Sequence, residues 1–471
     1  MTDVPFPLLS APGKHPQAAG GRLVNCYPEK LSATAGKPYA YWRVPGLKAF
    51  GTTATTNFRG RLLVGSTLYV VVGNKAYSLS SSGGAATVLT GTVNGTVPVF
   101  MARDNATTPN IVIVSPGDGA QIISGTSVTS YPDVDVLQPN SVKYHKGVFN
   151  FTYGDGTIRN SDVNSTSVNS LSQAAAESKP DTLYCSMPLG NGQILQVGSA
   201  SMEVWGGEND TGYFFSYVST IARGVVGPYA IAGDEDGWGK GIFLVGDDYR
   251  VSTLNGYSPT PISIPEIDAL IEAEADKTAI VVSVYNAGGH GFVVVQGAAW
   301  CWEFDTTLNT WHERQSYLKT YWRGFLPVQA FGKWLCGDKL SGNVLQIDNL
   351  TQDELGDPLR MRIETGPMGA FTSPIRVDGI ELYCTKGVGV ATGSDPVQTK
   401  PDLEISVSRD GGEKWSNARS VPVGEQSLAD RRVRSSIWGQ AECQGVHWRF
   451  DESSNVPFAF MGADMQVSLL R

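Results

Sequence analysis

The sequence is poor in the residues and motifs that enzymes and nucleic-acid-binding proteins commonly use. It has five histidines, none at His-x-x-x-His or His-Glu-x-x-His spacing, so no zinc-binding helix is predicted. It contains no Gly-x-Ser-x-Gly elbow and no Gly-x-x-x-x-Gly-Lys-Ser/Thr phosphate loop. Acidic residues outnumber basic ones, with a net charge of −9. We therefore expect no catalytic centre, no metal, no cofactor and no dedicated DNA-binding role, although an acidic wall suits a channel through which DNA slides.

Cysteines are few and lie far apart, with no two closer than 35 residues. We expect them to be buried free thiols, which is typical of assembly in a reducing cytoplasm. They are Cys26, Cys185, Cys301, Cys336, Cys384 and Cys443. No apolar run approaches the roughly 20 residues that span a bilayer, and the first ten residues lack the basic and apolar regions of a signal peptide.

Glycine is abundant, with 54 residues, and only 17% of residues are charged, a balance typical of short strands joined by tight turns. Apolar hairpin-like segments recur about every 40–50 residues, as in the blades of a propeller. They begin near Leu62, Ile111, Val148, Ile194, Ile242, Phe292 and Trp334. We predict an all-β fold with a six- or seven-bladed β-propeller over residues 51–350. The alternative is an unrelated series of hairpins.

Other segments depart from this repeat. Residues 1–50 are irregular and predict an N-terminal arm that joins the C-terminal domain. Residues 160–180 are rich in Ser, Asn and Ala and predict a loop insertion. Residues 265–276 predict one helix, with Pro265 at its first position. Beyond residue 351, six alternating strands predict an antiparallel β-sandwich, or platform, over residues 351–471.

The segment Ser408-Arg-Asp-Gly-Gly-Glu-Lys-Trp415 has the pattern Ser-x-Asp-x-Gly-x-x-Trp and follows an alternating strand. Asp410 can accept hydrogen bonds from nearby backbone N–H groups, Gly412 can supply a positive φ, and Trp415 can cover the hairpin. The same pattern occurs in sialidase-like propeller glycosidases, which usually repeat it on several blades. Here it occurs once in full, outside the predicted propeller, so we predict a structural turn and keep a glycosidase as the alternative.

A concentration of positive charge follows Asp430 at Arg431, Arg432 and Arg434. On a strand, Arg432 and Arg434 share one face and Arg431 lies on the other. These residues predict a surface that docks to another subunit or to a portal or adaptor protein. A solvated edge strand protected by charge is the alternative.

Two further residue sets could in principle carry chemistry. Paired carboxylates about 5–10 Å apart would serve a glycosidase, but the acidic residues in the hairpins are typical turn caps. These are Asp155, Asp247, Asp248 and Asp338. Tryptophans are dense between Trp300 and Trp334, which favours packing between blades. A glycan- or receptor-binding tail module is a third hypothesis for that segment.

Several segments, taken in order, resemble the packaged-DNA-stabilisation proteins of short-tailed double-stranded DNA phages, which form the tail hub or nozzle. They cover most of the chain. They are residues 43–46, 198–205, 223–227, 336–339 and 342–348, and the run from residues 408–412 through 431–434 to the closing strand.

The resemblance implies a propeller and a β-rich platform assembled as a ring of six copies below the portal or adaptor. Such a ring would extend the DNA channel, retain the packaged genome and carry tail spike or fibre and plug or needle proteins. It implies a structural virion protein without enzymatic activity or cofactor, assembled in the bacterial cytoplasm, with double-stranded DNA passing through without sequence-specific contacts. Residues 160–180 and the loop lengths depart from the family, so contacts to particular tail partners are not carried over.

Overall fold

The computed structural model of the protein describes residues 2–176, 178–209, 212–369, 373–393, 395–441 and 445–470. Strands make up nearly all of its regular structure, which confirms the predicted all-β class. The N-terminal strands are β1 (Thr2–Val4), β2 (Gly21–Val24), β3 (Cys26–Lys30), β4 (Tyr39–Arg43) and β5 (Gly46–Thr52).

The next part of the chain forms antiparallel sets of four strands, each joined by short turns. The first set has β6 (Phe58–Val64), β7 (Thr67–Val72), β8 (Lys75–Leu79) and β10 (Thr87–Val88). The short strand β9 (Gly84–Ala85) precedes β10 and pairs with β5 instead. The second has β11 (Phe100–Arg103), β12 (Ile111–Ser115), β13 (Gly119–Ser124) and β14 (Ser127–Ser130). The third has β15 (Ser141–His145), β16 (Val148–Thr152), β17 (Thr157–Ser161) and β18 (Val168–Ala175).

The same arrangement continues to residue 348. The fourth set has β19 (Leu183–Pro188), β20 (Ile194–Gly198), β21 (Met202–Gly206) and β22 (Ser216–Ile221). The fifth has β23 (Ile231–Ala232), β24 (Ile242–Val245), β25 (Val251–Asn255) and β26 (Ser258–Pro261), followed by helix α1 (Pro265–Ala273). The sixth has β27 (Val281–Ala287), β28 (His290–Gln296), β29 (Cys301–Asp305) and β30 (Thr310–Glu313). The last has β31 (Gly324–Ala330), β32 (Lys333–Asp338) and β33 (Val344–Asp348).

The last set is completed by a strand from the other end of this region. β5 pairs antiparallel with β33, with Ile347 opposite Leu47, so the described strands form seven sets of four. Buried apolar clusters join each set to the next, and one that includes Phe58 and Leu335 joins the last set to the first. The sets therefore form a closed ring. β5 closes this ring, because it completes a sheet whose other strands lie about 300 residues further along the chain.

The rest of the chain adds two further sheets. Its elements are β34 (Asp353–Glu354), β35 (Asp357–Pro358), β36 (Met361–Thr365), β37 (Ile375–Cys384), helix α2 (Pro396–Thr399), β38 (Asp402–Ser408), β39 (Arg419–Pro422), β40 (Val433–Ala441), β41 (His447–Glu452) and β42 (Ala459–Leu469). One sheet has the order β3-β4-β42-β37-β40, with β1 on β42, and the other continues from β30 through β2-β36-β41-β38-β39. A cluster that includes Leu382, Trp448 and Phe460 is buried between strands of both sheets.

Two local predictions can be compared directly with these elements. The predicted helix is confirmed, although it ends at Ala273, short of residue 276. The loop predicted for residues 160–180 is wrong, because β18 occupies Val168–Ala175. β18 is the outermost strand of its set and is exposed along most of its length, so it lacks the apolar alternation that identifies a strand in sequence. Neither helix in the described part of the chain is long and apolar enough to cross a membrane.

The cysteines behave as buried apolar residues. Five of them are buried with free thiols, and Cys443 lies outside the described residues. Burial raises the pKa of Cys185 and of Cys384 to about 12. These two thiols are therefore neutral and unreactive at neutral pH.

A buried charge network joins the sixth set to β34, which follows the seventh set. Arg314 lies 3.8 Å from Glu303 and 3.4 Å from Glu354, and all three side chains are almost completely buried. His312 Nε2 lies 3.0 Å from Glu303 Oε2, and Tyr285 donates a hydrogen bond to Glu303 Oε1 at 3.0 Å. Because these groups come from β27, β29, β30 and β34, the network connects elements that are distant in sequence.

Candidate functional site

Residues 408–415 form a tight turn held by side-chain hydrogen bonds to the backbone. The Ser408 hydroxyl donates to Asp410 Oδ1 at 2.9 Å and accepts from the Gly412 N–H at 2.9 Å. Asp410 Oδ1 also accepts from the Lys414 N–H at 3.0 Å. This bond from Lys414, with the one from Ser408, lowers the pKa of Asp410 below its ordinary value. The ionised carboxylate is therefore the form that holds the turn.

The other two predicted residues lie in the same turn. Gly412 has φ +93°, and a Cβ there would lie 2.7 Å from Pro16, so both backbone conformation and close approach require glycine. Trp415 bridges back to Ser408, and the Arg449 guanidinium carbon lies 3.9 Å from its ring centroid. The structure therefore brings Asp410, Gly412 and Trp415 together in a way that explains each residue type structurally.

Replacement of Asp410 with alanine is expected to destabilise the protein by about 1 kcal/mol, because two hydrogen bonds to a charged acceptor are lost. Asp410→Asn, which keeps an acceptor oxygen, should lose less. The lowered pKa means that the carboxylate stabilises the fold above its ordinary pKa, and this contribution is lost as the pH falls through the folded-state pKa. Urea unfolding at neutral and acidic pH measures both effects. A wild-type midpoint for the alanine variant at neutral pH would contradict this role.

The turn leads into a ladder of ion pairs across neighbouring strands. Arg449 Nε donates to Glu364 Oε1 at 2.8 Å. Arg362 makes a two-pronged contact with Asp451, at 2.6 and 3.0 Å. These ion pairs join β36 to β41 within the chain, so they stabilise the sheet that carries the residues 408–415 turn.

The three predicted arginines have different environments. Arg431 and Arg432 precede β40, and Arg434 lies within it. Arg432 makes a two-pronged contact with Glu381, with one N–O distance of 2.8 Å, and this contact lowers the pKa of Glu381. Arg431 and Arg434 are exposed and make no ion pair with any described residue. Arg434 nevertheless lies opposite Glu381 in the strand pairing and acts with Arg432 to lower the pKa of Glu381.

Further along β40, a bulge holds Ile437 in an unusual conformation. Ile437 and Trp438 together lie opposite Asp378, because the register shifts at this point. Ile437 has φ +63°, and among the thirteen non-glycine residues described with positive φ it is the one with a β-branched side chain. The left-handed conformation costs an L-residue about 1–2 kcal/mol, yet the Ile437 side chain is 79% exposed.

Two arginines cover the backbone beside this bulge. Arg419 Nη1 donates to the carbonyls of Ser436 at 2.9 Å and Ile437 at 3.0 Å, and its guanidinium carbon lies 4.1 Å from the Trp438 ring centroid. Arg409 Nη1 donates to the Trp438 carbonyl at 3.4 Å. Sequence reasoning missed Arg409, Arg419 and Ile437, because the positive φ and these contacts depend on the register of β40.

The acidic turn residues and tryptophans considered for sugar chemistry make contacts within the chain. Asp338 accepts from Arg323 at 2.7 and 3.1 Å, and the other acidic residues cap a turn or pair with Arg223. Four of the five tryptophans between residues 300 and 334 are buried. The fifth, Trp300, donates to Glu274 at 2.9 Å. No group of three or more His, Cys, Asp or Glu side chains suited to a metal occurs among the described residues.

The centre of the ring holds a cavity of about 390 Å³ lined by residues of several innermost strands. Four of its charged side chains form two ion pairs across the ring. Lys143 pairs with Asp234, and Arg61 lies 3.5 Å from Glu235. Since Asp234 and Glu235 belong to the loop after β23, these pairs tie that loop across the cavity to the first and third sets.

Comparison with known proteins identifies one matching family. Residues 21–352 match the family model described as "Bacteriophage P22 Gp10, beta-propeller". The match extends from β2 to the end of the seventh set, which agrees with the closed ring of four-stranded sets and confirms the predicted β-propeller. No curated protein matches the chain.

Solved structures that match the chain share little sequence with it. PorZ of Porphyromonas gingivalis, a component of the type-IX secretion system, is 12% identical over 72% of this chain and 45% of its own, with a TM-score of 0.38. YCF48 bound to D1 peptide is 12% identical over 65% and 97%, with a TM-score of 0.41. Virginiamycin B lyase from Staphylococcus aureus is 11% identical over 64% and 98%, with a TM-score of 0.44. The chain thus spans less than half the length of PorZ.

Proposed function

The chain belongs to the bacteriophage P22 Gp10 β-propeller family, phage structural proteins that stabilise packaged DNA, and on that premise we propose that it is a tail hub, or nozzle, protein. It forms a ring of six copies below the portal or adaptor of a short-tailed phage. The ring extends the DNA channel, retains the genome and carries tail spike or fibre and plug or needle proteins. The family match over residues 21–352 is the observation that carries this proposal.

In this proposal, each four-stranded set is one blade of a seven-bladed propeller, and the two C-terminal sheets form a sandwich that serves as a platform. Strands β1, β3 and β4 lie in the same sheet as β37, β40 and β42, which supports an N-terminal arm that joins this platform. The residues 408–415 turn and the arginines near β40 then lie on the platform. Arg431 and Arg434, exposed and unpaired among the described residues, are the proposed contacts to a neighbouring subunit or to the portal and adaptor, with Arg432 held beside them by Glu381.

The family is not an enzyme family, and the side chains considered for catalysis support a structural role. The acidic turns pair with arginine or cap backbone, and most of the tryptophans are buried. A sialidase-like glycosidase and a glycan-binding module are therefore not favoured. The net charge of −9 suits a channel wall that does not retain DNA.

The proposed location is tested by adding the purified protein to isolated portal–adaptor complexes. We expect electron micrographs to show an additional ring at the tail end, and we expect particles assembled without the protein to lose packaged DNA. Particles that keep their DNA without it, or portal complexes that never gain the ring, would contradict the proposal. A screen with fluorogenic glycosides should show no turnover.

A further inference from the structure

Ile437 combines backbone strain with an exposed apolar side chain. Hydrogen bonds from Arg409 and Arg419 hold the carbonyls of the bulge, but they do not cover the side chain of Ile437, which stays exposed. The bulge in β40 needs one residue with a positive φ, which glycine or asparagine adopts more readily than a β-branched residue. The side chain of Ile437 at φ +63° is nevertheless 79% exposed. Backbone strain of this kind persists where the surrounding structure enforces it, and it clusters at functional sites. Because the Ile437 side chain is not buried inside the subunit, it is accessible to a contact with another molecule.

The charge around Ile437 indicates what kind of surface would cover it. Arg409 and Arg419 donate to the carbonyls of the bulge, and Arg431 and Arg434 extend outward near the start of the same strand. None of these four arginines has an ion-pair partner among the described residues. They are concentrated on one edge of a chain whose net charge is −9, so the remaining surface is more acidic still. Another copy of this chain therefore offers a surface of complementary charge.

We propose that Ile437 and these four arginines form the edge by which one copy of the chain docks to a second copy. This inference rests on the proposed function in that it requires a ring of identical subunits. The basic edge of one copy meets an acidic surface elsewhere on the next, so the contact is heterologous and closes into a ring. Ile437 is the apolar centre of the contact, and the arginines form its polar rim.

Replacement of Ile437 with asparagine separates strain from docking. Asparagine tolerates the left-handed conformation, so the melting temperature of the dissociated subunit should be unchanged or higher. Loss of the apolar contact should raise the dissociation constant for self-association at least about tenfold. Sedimentation of the full-length protein over a concentration series measures association, and a thermal scan at low protein concentration measures subunit stability.

A matched control exists on the propeller. Leu318 also has a positive φ, +54°, and is 83% exposed, so Leu318→Asn relieves similar strain at a different surface. It should leave self-association unchanged. The double variant Arg431→Glu with Arg434→Gln should weaken association with little effect on the melting temperature, because glutamine places no second negative charge opposite Glu381. Association of the wild type should also weaken between about 50 and 500 mM salt.

The outcomes separate this inference from the proposed function. Wild-type self-association of both the Ile437→Asn and the double-arginine variant would overturn the docking edge, even if particles containing them retain DNA. A wild-type protein that stays monomeric at all concentrations but binds portal complexes through these arginines would also overturn it, with the proposed function intact. Conversely, arginine- and Ile437-dependent rings that never add to a portal complex would support the edge and contradict the function.

Discussion

Replacement of Arg314 with methionine is expected to lower the free energy of unfolding by about 3–5 kcal/mol, because it leaves buried carboxylates without their counter-charge. Arg314 is completely buried between Glu303 and Glu354 and also donates to the Pro45 carbonyl at 2.7 Å. Methionine fills similar space but supplies neither charge nor donors. Urea unfolding of the purified protein measures the loss.

The destabilisation caused by Arg314→Met should depend on pH, because it depends on the ionisation of the buried glutamates. Burial acts to raise the pKa of Glu303, but Arg314 and His312 together hold it below its ordinary value. The pair therefore stabilises the fold above the ordinary glutamate pKa of about 4.3, and this contribution is lost as the pH falls through the folded-state value. Burial dominates at Glu354 and raises its pKa. The difference in free energy of unfolding between wild type and Arg314→Met should consequently become smaller at acidic pH.

Two further substitutions serve as controls for Arg314→Met, one at an exposed arginine and one that keeps the charge of Arg314. Arg434→Met removes an exposed arginine that has no described ion-pair partner and should change stability by no more than about 0.5 kcal/mol. Arg314→Lys keeps the positive charge but loses the planar guanidinium, so its loss of stability should lie between those of Arg314→Met and Arg434→Met. If Arg314→Met and Arg434→Met unfold at the same urea concentration, the buried network contributes nothing measurable to the stability of the fold.

The parts of the fold that the sequence predicts are those with a local signal. The hairpins predicted near Ile111, Val148 and Ile194 coincide with the starts of β12, β16 and β20. These strands lie inside their sheets and are buried along their length, so apolar residues predominate in each of them. β23, with two residues, is too short to produce such a run, and β18 is too exposed.

Contacts between distant segments have no comparable local signal. The pairing of β5 with β33 closes the ring, yet residues 1–50 were predicted only as an arm. The same distinction holds in the two C-terminal sheets. The hydrogen bonds around Asp410 span four residues and follow from turn chemistry. The bulge at Ile437 arises from its register with β37, which the sequence Ser-Ser-Ile-Trp does not reveal.

Gly224→Ala is expected to destabilise the protein by about 3 kcal/mol or more, because a Cβ at this position would overlap the backbone between Ser199 and Ala200. Gly224 lies in the connection between the fourth and fifth sets. The neighbouring Val225 N–H donates to the Gly198 carbonyl at 3.0 Å, which keeps the two backbones together. A backbone clash cannot be relieved by a side-chain rotation, so the connection would have to move away from the turn between β20 and β21.

Gly190→Ala is the matched control, since a Cβ at Gly190 meets nothing within 4 Å. Its unfolding midpoint should stay close to that of the wild type, while that of Gly224→Ala should fall clearly in the same urea titration. The comparison also bears on the family resemblance, because residues 198–205 and 223–227 are separate in sequence but meet at Gly224. Equal midpoints for the two variants would show that the close approach of these segments is dispensable, and the glycine in the second motif would then need another explanation.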